Sequence, residues 1–553
     1  MEAETHKNLP ICWDIIFDKL NNPSDRDSIS LVCKEFLSIT NLIQESLTVI
    51  SPSINVLVNL LHRFPNSKKI QLMNFQGDLN RAIQVISQSG LNLEELDLSH
   101  NENLPDVCLQ NLSSAMKNLK ILDCSHSSMK DPDLLKIANY FPQLEDINIS
   151  YSCVDLTDQG IEFLASNLKR LRKVDVTGNT CITDKSVISL SLNCHFLEQF
   201  IADSPVAKFE IGSFGVENSI DLPKNLVSLK FTNLKISDQF LQSVAKAEIP
   251  LTELSLLFCK SYTFSGISSL LRSHPCLKSL ALFGADFLTN EHIDYLCQFL
   301  ANLKTIKLNC CPLLSDSAFV TLSERCNLLS RLEIGNTCLG KEELINDDHP
   351  VKNYAVRFLR LWSIQFLCSA YLRKVLLICP NLEKLDLSNC FRGTELLDVA
   401  DILDYSPRIN SLVLNQCRHL RFCREQAKAS KLEKLVAMYS GINDEILAMI
   451  GRNSPGLLYL DLEECKNVTE KGVKAVIESC KRLRYLNLSG CLNVNVDVLE
   501  YIVQNEPSLR RLVSPSCKYP KEDDQKYFLQ RNCLVTRAVD IMESLPKCLF
   551  VYR

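Results

Sequence analysis

Apolar residues return in one fixed pattern along most of this chain. Between Leu457 and Leu483 they form an L-x-x-L-x-L run, then a cysteine, then valines and an isoleucine at helical spacing. The same run begins again at Leu483 and at Leu509, so both steps are 26 residues. A fixed period of this length predicts a repeat architecture in which each copy contributes one strand, one turn and one helix.

The repeats extend from Ser67 nearly to the end of the chain, at steps of 23 to 29 residues. The period and the leucine spacing predict an α/β leucine-rich-repeat solenoid of about 18 repeats, with a curved, parallel sheet on its concave side and helices on its convex side. The first strand positions are Ser67, Leu93, Leu119, Leu144, Leu171, Leu197, Leu226, Leu251, Leu277, Leu303, Leu329, Val356, Leu382, Ile409, Leu432, Leu457, Leu483 and Leu509.

The first 48 residues do not follow the repeat. Their apolar spacing predicts three short helices, which make a marginal domain on their own and therefore favour docking on a partner. We divide the chain into a helical segment 1–48, a solenoid 49–535 and a C-terminal cap or tail 536–553.

The helical segment resembles an F-box of the plant type. The matching residues are Leu9-Pro10, the apolar Ile16 and Leu20, and the run D-R-D-S-I-S-L-V-C-K from Asp25 to Lys34. The resemblance implies a three-helix F-box that binds a Skp-family adaptor through apolar contacts. Each of these apolar residues has an alternative role in the F-box's own small core. The residues expected at the adaptor interface are Leu9, Pro10, Ile16, Leu20, Ile29, Leu31, Val32 and Phe36.

A second candidate surface lies on the strands of the middle repeats. Residues between the leucines face the concave side, because side chains alternate along a strand. Here that side carries Phe283, Phe358, Arg360 and Trp362, and aromatic residues and arginine dominate binding hot spots. We predict that these four contact a protein substrate. The alternative is that the loop 338–355 folds over them.

Cysteine usage indicates a reduced compartment. Of the 25 cysteines, 11 follow the repeat, at one turn position and one helix-end position. Free cysteine behaves as a small buried hydrophobe, so we expect reduced core cysteines in a nuclear or cytoplasmic protein. No cysteine or histidine spacing is typical of zinc ligands, and no metal is expected.

Charge and motifs exclude several classes of function. The net charge of −5 does not favour nucleic-acid binding, and no apolar run is long enough to predict a membrane span. Nucleotide-binding and hydrolase motifs are absent, so no enzyme is expected.

Basic concave residues could hold an inositol polyphosphate, but acidic residues are interleaved with them and we expect no cofactor. The basic residues are Lys230, Lys307, Arg331, Arg360, Lys384 and Lys434.

An F-box followed by leucine-rich repeats is similar to the substrate receptor of an SCF-type (Skp–cullin–F-box) ubiquitin ligase, and the resemblance covers essentially the whole chain. It implies a non-catalytic subunit that joins a protein substrate, through the adaptor and a cullin, to ubiquitination and proteasomal degradation. Two alternatives remain open. One is a hormone co-receptor with a small molecule in the concave face, and the other is a ligase-independent scaffold.

Overall fold

The computed structural model describes residues 13, 29–49, 53–101, 110, 113, 116–152, 156–179, 181–182, 184–203, 210–211, 222–341, 352–390, 396–423, 430–516, 519–520 and 522–537. The chain divides into two compact units. The N-terminal unit comprises residues 1–251 and 260–262, and the C-terminal unit comprises residues 252–259 and 263–553.

The described part of the N-terminal unit carries eight parallel strands in chain order, with a small additional pair formed by β8 and β10. The strands are β1 Ser46–Thr48, β2 Lys69–Gln71, β3 Glu95–Asp97, β4 Ile121–Asp123, β5 Asp146–Asn148, β6 Lys173–Asp175, β7 Gln199–Asp203, β8 Glu210–Ile211, β9 Ser228–Thr232 and β10 Lys235–Ile236. The helices are α1 Lys34–Ile43, α2 Ile54–Arg63, α3 Leu79–Gln88, α4 Asp131–Tyr140, α5 Asp158–Asn167, α6 Asp184–Asn193 and α7 Asp238–Lys246.

The described part of the C-terminal unit continues the same design with twelve parallel strands, beside which β17 and β19 form a small pair. The strands are β11 Glu253–Leu257, β12 Ser279–Phe283, β13 Thr305–Asn309, β14 Arg331–Gly335, β15 Phe358–Trp362, β16 Lys384–Asp386, β17 Leu397–Asp398, β18 Ser411–Val413, β19 Leu420–Arg421, β20 Lys434–Val436, β21 Tyr459–Asp461, β22 Tyr485–Asn487, β23 Arg511–Val513 and β24 Leu534–Thr536. The helices are α8 Phe264–Ser273, α9 Asn290–Cys297, α10 Asp316–Arg325, α11 Ser369–Ile378, α12 Val399–Tyr405, α13 Asp444–Asn453, α14 Glu470–Ser479, α15 Val498–Asn505 and α16 Glu522–Leu529.

Leucines of successive repeats stack into the core between sheet and helices. Leu460, Leu486 and Leu512 occupy paired positions on β21, β22 and β23, and each is at most 1% exposed. The residues that alternate with them lie on the open face of the sheet. The predicted leucine-rich-repeat architecture is therefore confirmed in both units.

Two strands of the main parallel sheet lie outside the eighteen predicted positions. β1 pairs with β2, with Leu47 beside Ile70, so the sheet begins inside the segment 1–48 that was set apart as helical. Its sequence, Ser46-Leu47-Thr48, carries one leucine and no L-x-x-L-x-L run, which is why the pattern did not predict it. β24 follows β23 and ends at Thr536, one residue beyond the predicted boundary at 535.

A carboxylate at the start of a helix binds the start of the next helix. Asp444 accepts hydrogen bonds from the backbone N of Thr469 (2.8 Å) and from its Oγ1 (2.6 Å). Gly472 permits this approach, because a Cβ there would lie 2.4 Å from Asp444 Oδ1. Asp131 and Thr157 make the same pair of bonds in the N-terminal unit, at 2.9 and 2.6 Å. These bonds connect neighbouring repeats, in addition to any effect of the acid on its own helix dipole.

Four buried cysteines at the turn position form a column in which each thiol donates to a main-chain oxygen of the preceding repeat. Cys465 Sγ lies 2.9 Å from the oxygen of Ala437, and Cys491 Sγ lies 3.0 Å from that of Leu462. Cys390 and Cys417 bind Leu361 and Leu387 in the same way. Among the described residues the cysteines are free, and no group of three or more metal-ligating side chains occurs there.

Charges alternate from repeat to repeat along one edge position of the N-terminal unit. The position carries Glu45, Lys68, Glu94, Lys120, Glu145, Arg172 and Glu198. Ion pairs join Lys68 to Glu45, Lys120 to Glu94, and Arg172 to both Glu145 and Glu198. Each exposed pair contributes little alone, but the row leaves few charges without an opposite neighbour.

None of the helices in the described ranges has the length and apolar character required to span a membrane.

Candidate partner-binding surfaces

The residues predicted at the adaptor interface fall into three groups. Leu31 is 86% exposed and Val32 is 67% exposed, immediately before α1. Ile29 and Phe36 are half-buried. The remaining four predicted residues, Leu9, Pro10, Ile16 and Leu20, lie outside the described residues.

Phe36 packs within the segment itself. Its ring centroid lies 5.0 Å from that of Trp13, with the two rings tilted by 58°. The backbone N of Phe36 also donates to Cys33 Sγ, which caps α1. The two roles weighed for the apolar residues are thus divided by position, since Phe36 contributes to local packing whereas Leu31 and Val32 remain uncovered.

The four residues predicted to bind substrate all lie on the open sheet face of the C-terminal unit. Phe358, Arg360 and Trp362 alternate along β15, and each is half-buried. Phe283 ends β12, and its ring meets Phe258 edge-on at a centroid distance of 6.0 Å. Strands β13 and β14 separate Phe283 from Trp362. The four side chains share one face of the sheet, and residues 342–351 of the loop weighed as their cover lie outside the described residues.

Arg360 belongs to a row of alternating charges across four strands. The register places Lys307, Glu333, Arg360 and Asp386 side by side. Glu333 is only 3% exposed and pairs with Lys307 Nζ at 3.5 Å and with Arg331 Nε at 2.5 Å. Arg360 Nε lies 3.0 Å from Asp386 Oδ2. The row therefore orders the centre of the face through ion pairs.

One side of the Phe358 ring is covered by a cation. The guanidinium carbon of Arg331 lies 3.8 Å from the ring centroid, a cation–π contact that also fixes the arginine beside Glu333. The contact leaves the edge of Phe358 accessible on a half-buried side chain. A partner would meet a preformed aromatic surface here, with little side-chain ordering left to complete.

The charge pairing bears on the inositol polyphosphate considered above. Three of the six basic residues, Lys307, Arg331 and Arg360, are engaged by Glu333 and Asp386. A polyphosphate site requires cations whose charge is not already neutralised by carboxylates. The arrangement of this row gives no support to such a cofactor.

No family model matches the chain, but known protein sequences and solved structures are similar to it. GRR1-like protein 1 of Arabidopsis thaliana is 26% identical over 396 residues, which cover 69% of this chain and 57% of that protein. F-box/LRR-repeat protein 4 of Bos taurus is 27% identical over 220 residues, 34% of each protein. Tubulin-specific chaperone E of Xenopus laevis is 27% identical over 123 residues, 22% of this chain and 23% of that protein.

The names of the Arabidopsis thaliana and Bos taurus relatives support an F-box/leucine-rich-repeat protein. The chain covers less than two thirds of the length of these relatives. Similar solved structures include an internalin (inlF) of Listeria monocytogenes, with 17% identity, a TM-score of 0.37 and coverage of 68% of this chain and 88% of that one. The TLR13–ssRNA13 complex is 13% identical, with a TM-score of 0.38 and coverage of 85% of this chain and 65% of that one. The yeast Rad7 and Elc1 complex is 15% identical, with a TM-score of 0.35 and coverage of 98% of this chain and 95% of that one. TM-scores this low support no conclusion.

Further along the sheet, the chain carries an aromatic pair that the sequence analysis did not single out. Tyr459 on β21 and Tyr485 on β22 stack at 4.2 Å with their rings 5° from parallel. Lys434 Nζ lies 4.6 Å from the Tyr459 ring centroid. The recurrence of Tyr at one strand position, 26 residues apart, was the available signal.

A second ring stack lies in the N-terminal unit, at the turn after the strands. His100 stacks on His126 at 4.1 Å, and His126 stacks on Tyr151 at 4.6 Å. All three have positive φ, between 52° and 60°, which directs the rings into one column. Burial lowers the pKa of both imidazoles. Both imidazoles therefore pack against a neighbouring ring of the next repeat instead of standing alone in solvent.

Proposed function

We propose that this protein is the substrate-recognition subunit of an SCF-type E3 ubiquitin ligase. In this proposal the helical segment binds a Skp-family adaptor, and through it a cullin, while the repeats bind a protein substrate. The chain itself performs no chemistry. It raises the effective concentration of substrate lysines near the ubiquitin thioester, so catalysis is by proximity.

The observation that carries the proposal is the exposure of Leu31 and Val32, at 86% and 67%. Two adjacent large apolar side chains in water are unfavourable unless a partner covers them, and such patches are typical of interaction sites. They lie inside the D-R-D-S-I-S-L-V-C-K run on which the F-box resemblance rests. The two F-box-type names among the relatives support the same interpretation.

The decisive experiment is co-purification of the full chain with a Skp-family adaptor. We expect the double substitution Leu31→Asp/Val32→Asp to abolish adaptor binding, because it places two charges in an apolar interface. The matched control is Leu192→Asp, a leucine that is 59% exposed in α6. Point substitutions are preferable to deleting residues 1–48, since that deletion would also remove β1.

Retained adaptor binding by the double variant would overturn the assignment of these residues. If the unmodified chain does not bind an adaptor either, a ligase-independent scaffold replaces the proposal. Folding of each variant is checked by circular dichroism, so that loss of binding is not confused with loss of structure.

We place substrate binding at Phe283, Phe358, Arg360 and Trp362 on the open sheet face. The variant Phe358→Ala/Trp362→Ala removes two half-buried aromatic rings, and such residues carry a large share of interface energy. We expect it to lose proteins that co-purify with the adaptor-bound receptor while keeping the adaptor. Leu328→Ala, at a leucine that is 51% exposed, is the control. An unchanged set of co-purifying proteins would contradict this placement.

A further inference from the structure

One row of the open sheet face in the C-terminal unit differs from the paired charge rows described above. The strand register places six residues side by side on consecutive strands of the main sheet, from β16 to β23. In order they are Lys384, Ser411, Lys434, Tyr459, Tyr485 and Arg511. The row begins next to β15, where Phe358 is the register partner of Lys384.

The cations of this row have no carboxylate partners. Lys384, Lys434 and Arg511 are exposed, and the described residues provide no ion pair for any of them. Lys434 instead lies against the ring of Tyr459. This contrasts with the neighbouring row, where Arg360 is held by Asp386 at 3.0 Å. These three cations therefore differ from Lys307, Arg331 and Arg360 on the same face, each of which is paired with a carboxylate.

The tyrosines give the row a flat, rigid centre. Their rings stack at 4.2 Å, and each is half-buried, so one ring edge remains accessible. The nearest carboxylate beneath them is Asp461, which is 6% exposed and accepts a hydrogen bond from the backbone N of Glu463. Glu433 is exposed, but it precedes Lys434 by one residue and lies outside the row. A partner that binds here therefore contacts the cations on either side of the fixed tyrosine pair.

The spacing of the row matches an extended chain that crosses the strands. Adjacent strands lie about 4.8 Å apart, so Lys384 and Lys434 are separated by about 10 Å, and Lys434 and Arg511 by about 14 Å. An extended peptide advances about 3.3 Å per residue. Side chains of an extended chain alternate between its two sides, so acidic residues must be an even number of residues apart to face the sheet together. Acidic side chains four residues apart, at about 13 Å, would therefore reach the three cations in turn through the long lysine and arginine side chains, with the residues between the last two lying over the tyrosines.

We propose that Lys384, Lys434, Tyr459, Tyr485 and Arg511 form a docking surface for an acidic, carboxylate-bearing extended segment of a protein partner. Charge complementarity selects the segment, and contact with the accessible ring edges of the tyrosines orients it. Three cations on a chain of net charge −5 are too few for a nucleic-acid backbone, which requires a longer basic stripe. The surface does not depend on ligase activity.

The test measures binding of fluorescein-labelled twelve-residue peptides to the purified full chain by fluorescence polarisation. The probe carries three glutamates in the order E-x-x-x-E-x-x-x-E, with one phenylalanine between the last two and Gly/Ser elsewhere. Comparison peptides replace glutamate by glutamine, change the spacing, or place phosphoserine at the same three positions. Measurements at about 50 mM and about 300 mM salt report the electrostatic share.

We expect the glutamate peptide to bind more tightly than the glutamine and altered-spacing peptides, and more weakly at the higher salt concentration. Lys434→Glu/Arg511→Glu should weaken binding at least about tenfold. The control is Lys471→Glu, the same charge reversal at an exposed position on α14 in the helix layer. Both variants change exposed side chains, and their folding is verified by thermal melting.

Three results would overturn the proposal. The first is no binding of the glutamate peptide. The second is equal loss of binding in Lys434→Glu/Arg511→Glu and in Lys471→Glu. The third is binding of the phosphoserine peptide alone, which would replace the carboxylate segment by a phosphorylated one. None of these results bears on adaptor binding through Leu31 and Val32, so the two proposals fail separately.

Discussion

The indole ring of Trp362 lies over Gly335 on the neighbouring strand. The two residues are register partners on β15 and β14. A Cβ atom at position 335 would lie 2.8 Å from Trp362 Cε3 and 2.6 Å from Asn309 Oδ1. Asn309 is 7% exposed, and its Oδ1 has no hydrogen-bond partner in the part of the chain that the structure describes. The absence of a side chain at Gly335 is therefore what lets the indole settle against the sheet.

Gly335→Ala should displace the Trp362 ring and destabilise the fold by about 1–3 kcal/mol, the usual cost of an overpacked site. With two tryptophans in the chain, the displacement should appear as a red-shifted emission and stronger acrylamide quenching. Gly456→Ala is the matched control, because a Cβ there meets nothing within 4 Å. Identical spectra for the two variants would show that Trp362 does not depend on Gly335.

The bonds between Asp444 and Thr469 predict a specific cost for removing the carboxylate. Asp444→Ala leaves the Thr469 N–H and hydroxyl without their acceptor, so we expect a loss of about 2–4 kcal/mol in the free energy of unfolding. Glu445→Ala changes the exposed neighbouring acid in the same helix turn and should cost less than about 0.5 kcal/mol. Urea unfolding measures both variants, and equal values would contradict the inter-repeat role.

The buried cysteines predict a sharp division in thiol reactivity. Burial raises the pKa of Cys379 and of Cys491 to about 12, and both are 0% exposed, so neither forms a reactive thiolate near neutral pH. Cys276 is exposed. With iodoacetamide at about pH 8, we expect mass spectrometry to show rapid labelling of Cys276, and labelling of the buried pair only in denaturing urea. Native labelling of Cys491 at the rate of Cys276 would show that the column is open.

Much of the architecture could be predicted because the leucine spacing encodes which side of each strand enters the core. Each of the eighteen predicted positions carries a strand in the structure. β1 and β24 were missed for the same physical reason. The sequences around Ser46-Leu47-Thr48 and Leu534-Val535-Thr536 lack the L-x-x-L-x-L run that identifies the other strands, because the core around them is filled by fewer leucines.

The candidate surfaces were predictable only in part. Strand alternation placed Phe358 and Trp362 on the open face, and both lie there. Their partners were not predictable, because Arg331 and Gly335 precede them by 27 residues across a repeat of irregular length, and the register is set by the folded sheet. The link between Asp444 and Thr469 had a local signal, the T-x-x-G of Thr469 and Gly472, which occurs also at Thr157 and Gly160.

Asp461 provides a prediction with a defined pH window. Burial raises the pKa of this carboxyl from 3.8 to about 6 in the folded protein. The folded state therefore binds the proton more tightly than the unfolded state, and stability falls as the pH rises from about 4 to about 6. Above this window the ionised, buried carboxylate destabilises the fold by a constant amount.

Asp461→Asn should remove that penalty while an amide oxygen can still accept from the backbone N of Glu463. The register partner on β22 is already Asn487, whose Oδ1 accepts from Ser489 in the same way. We expect the variant to be more stable than the natural chain by about 1–3 kcal/mol at about pH 7.5, since a pKa shift of one unit corresponds to about 1.4 kcal/mol. The difference should shrink towards zero near pH 4, where the aspartate is protonated in the folded state as well. The control in urea unfolding is Asp497→Asn, at an exposed position at the start of α15, which should show no such pH-dependent gain. A gain in Asp461→Asn that is independent of pH would contradict the electrostatic cause.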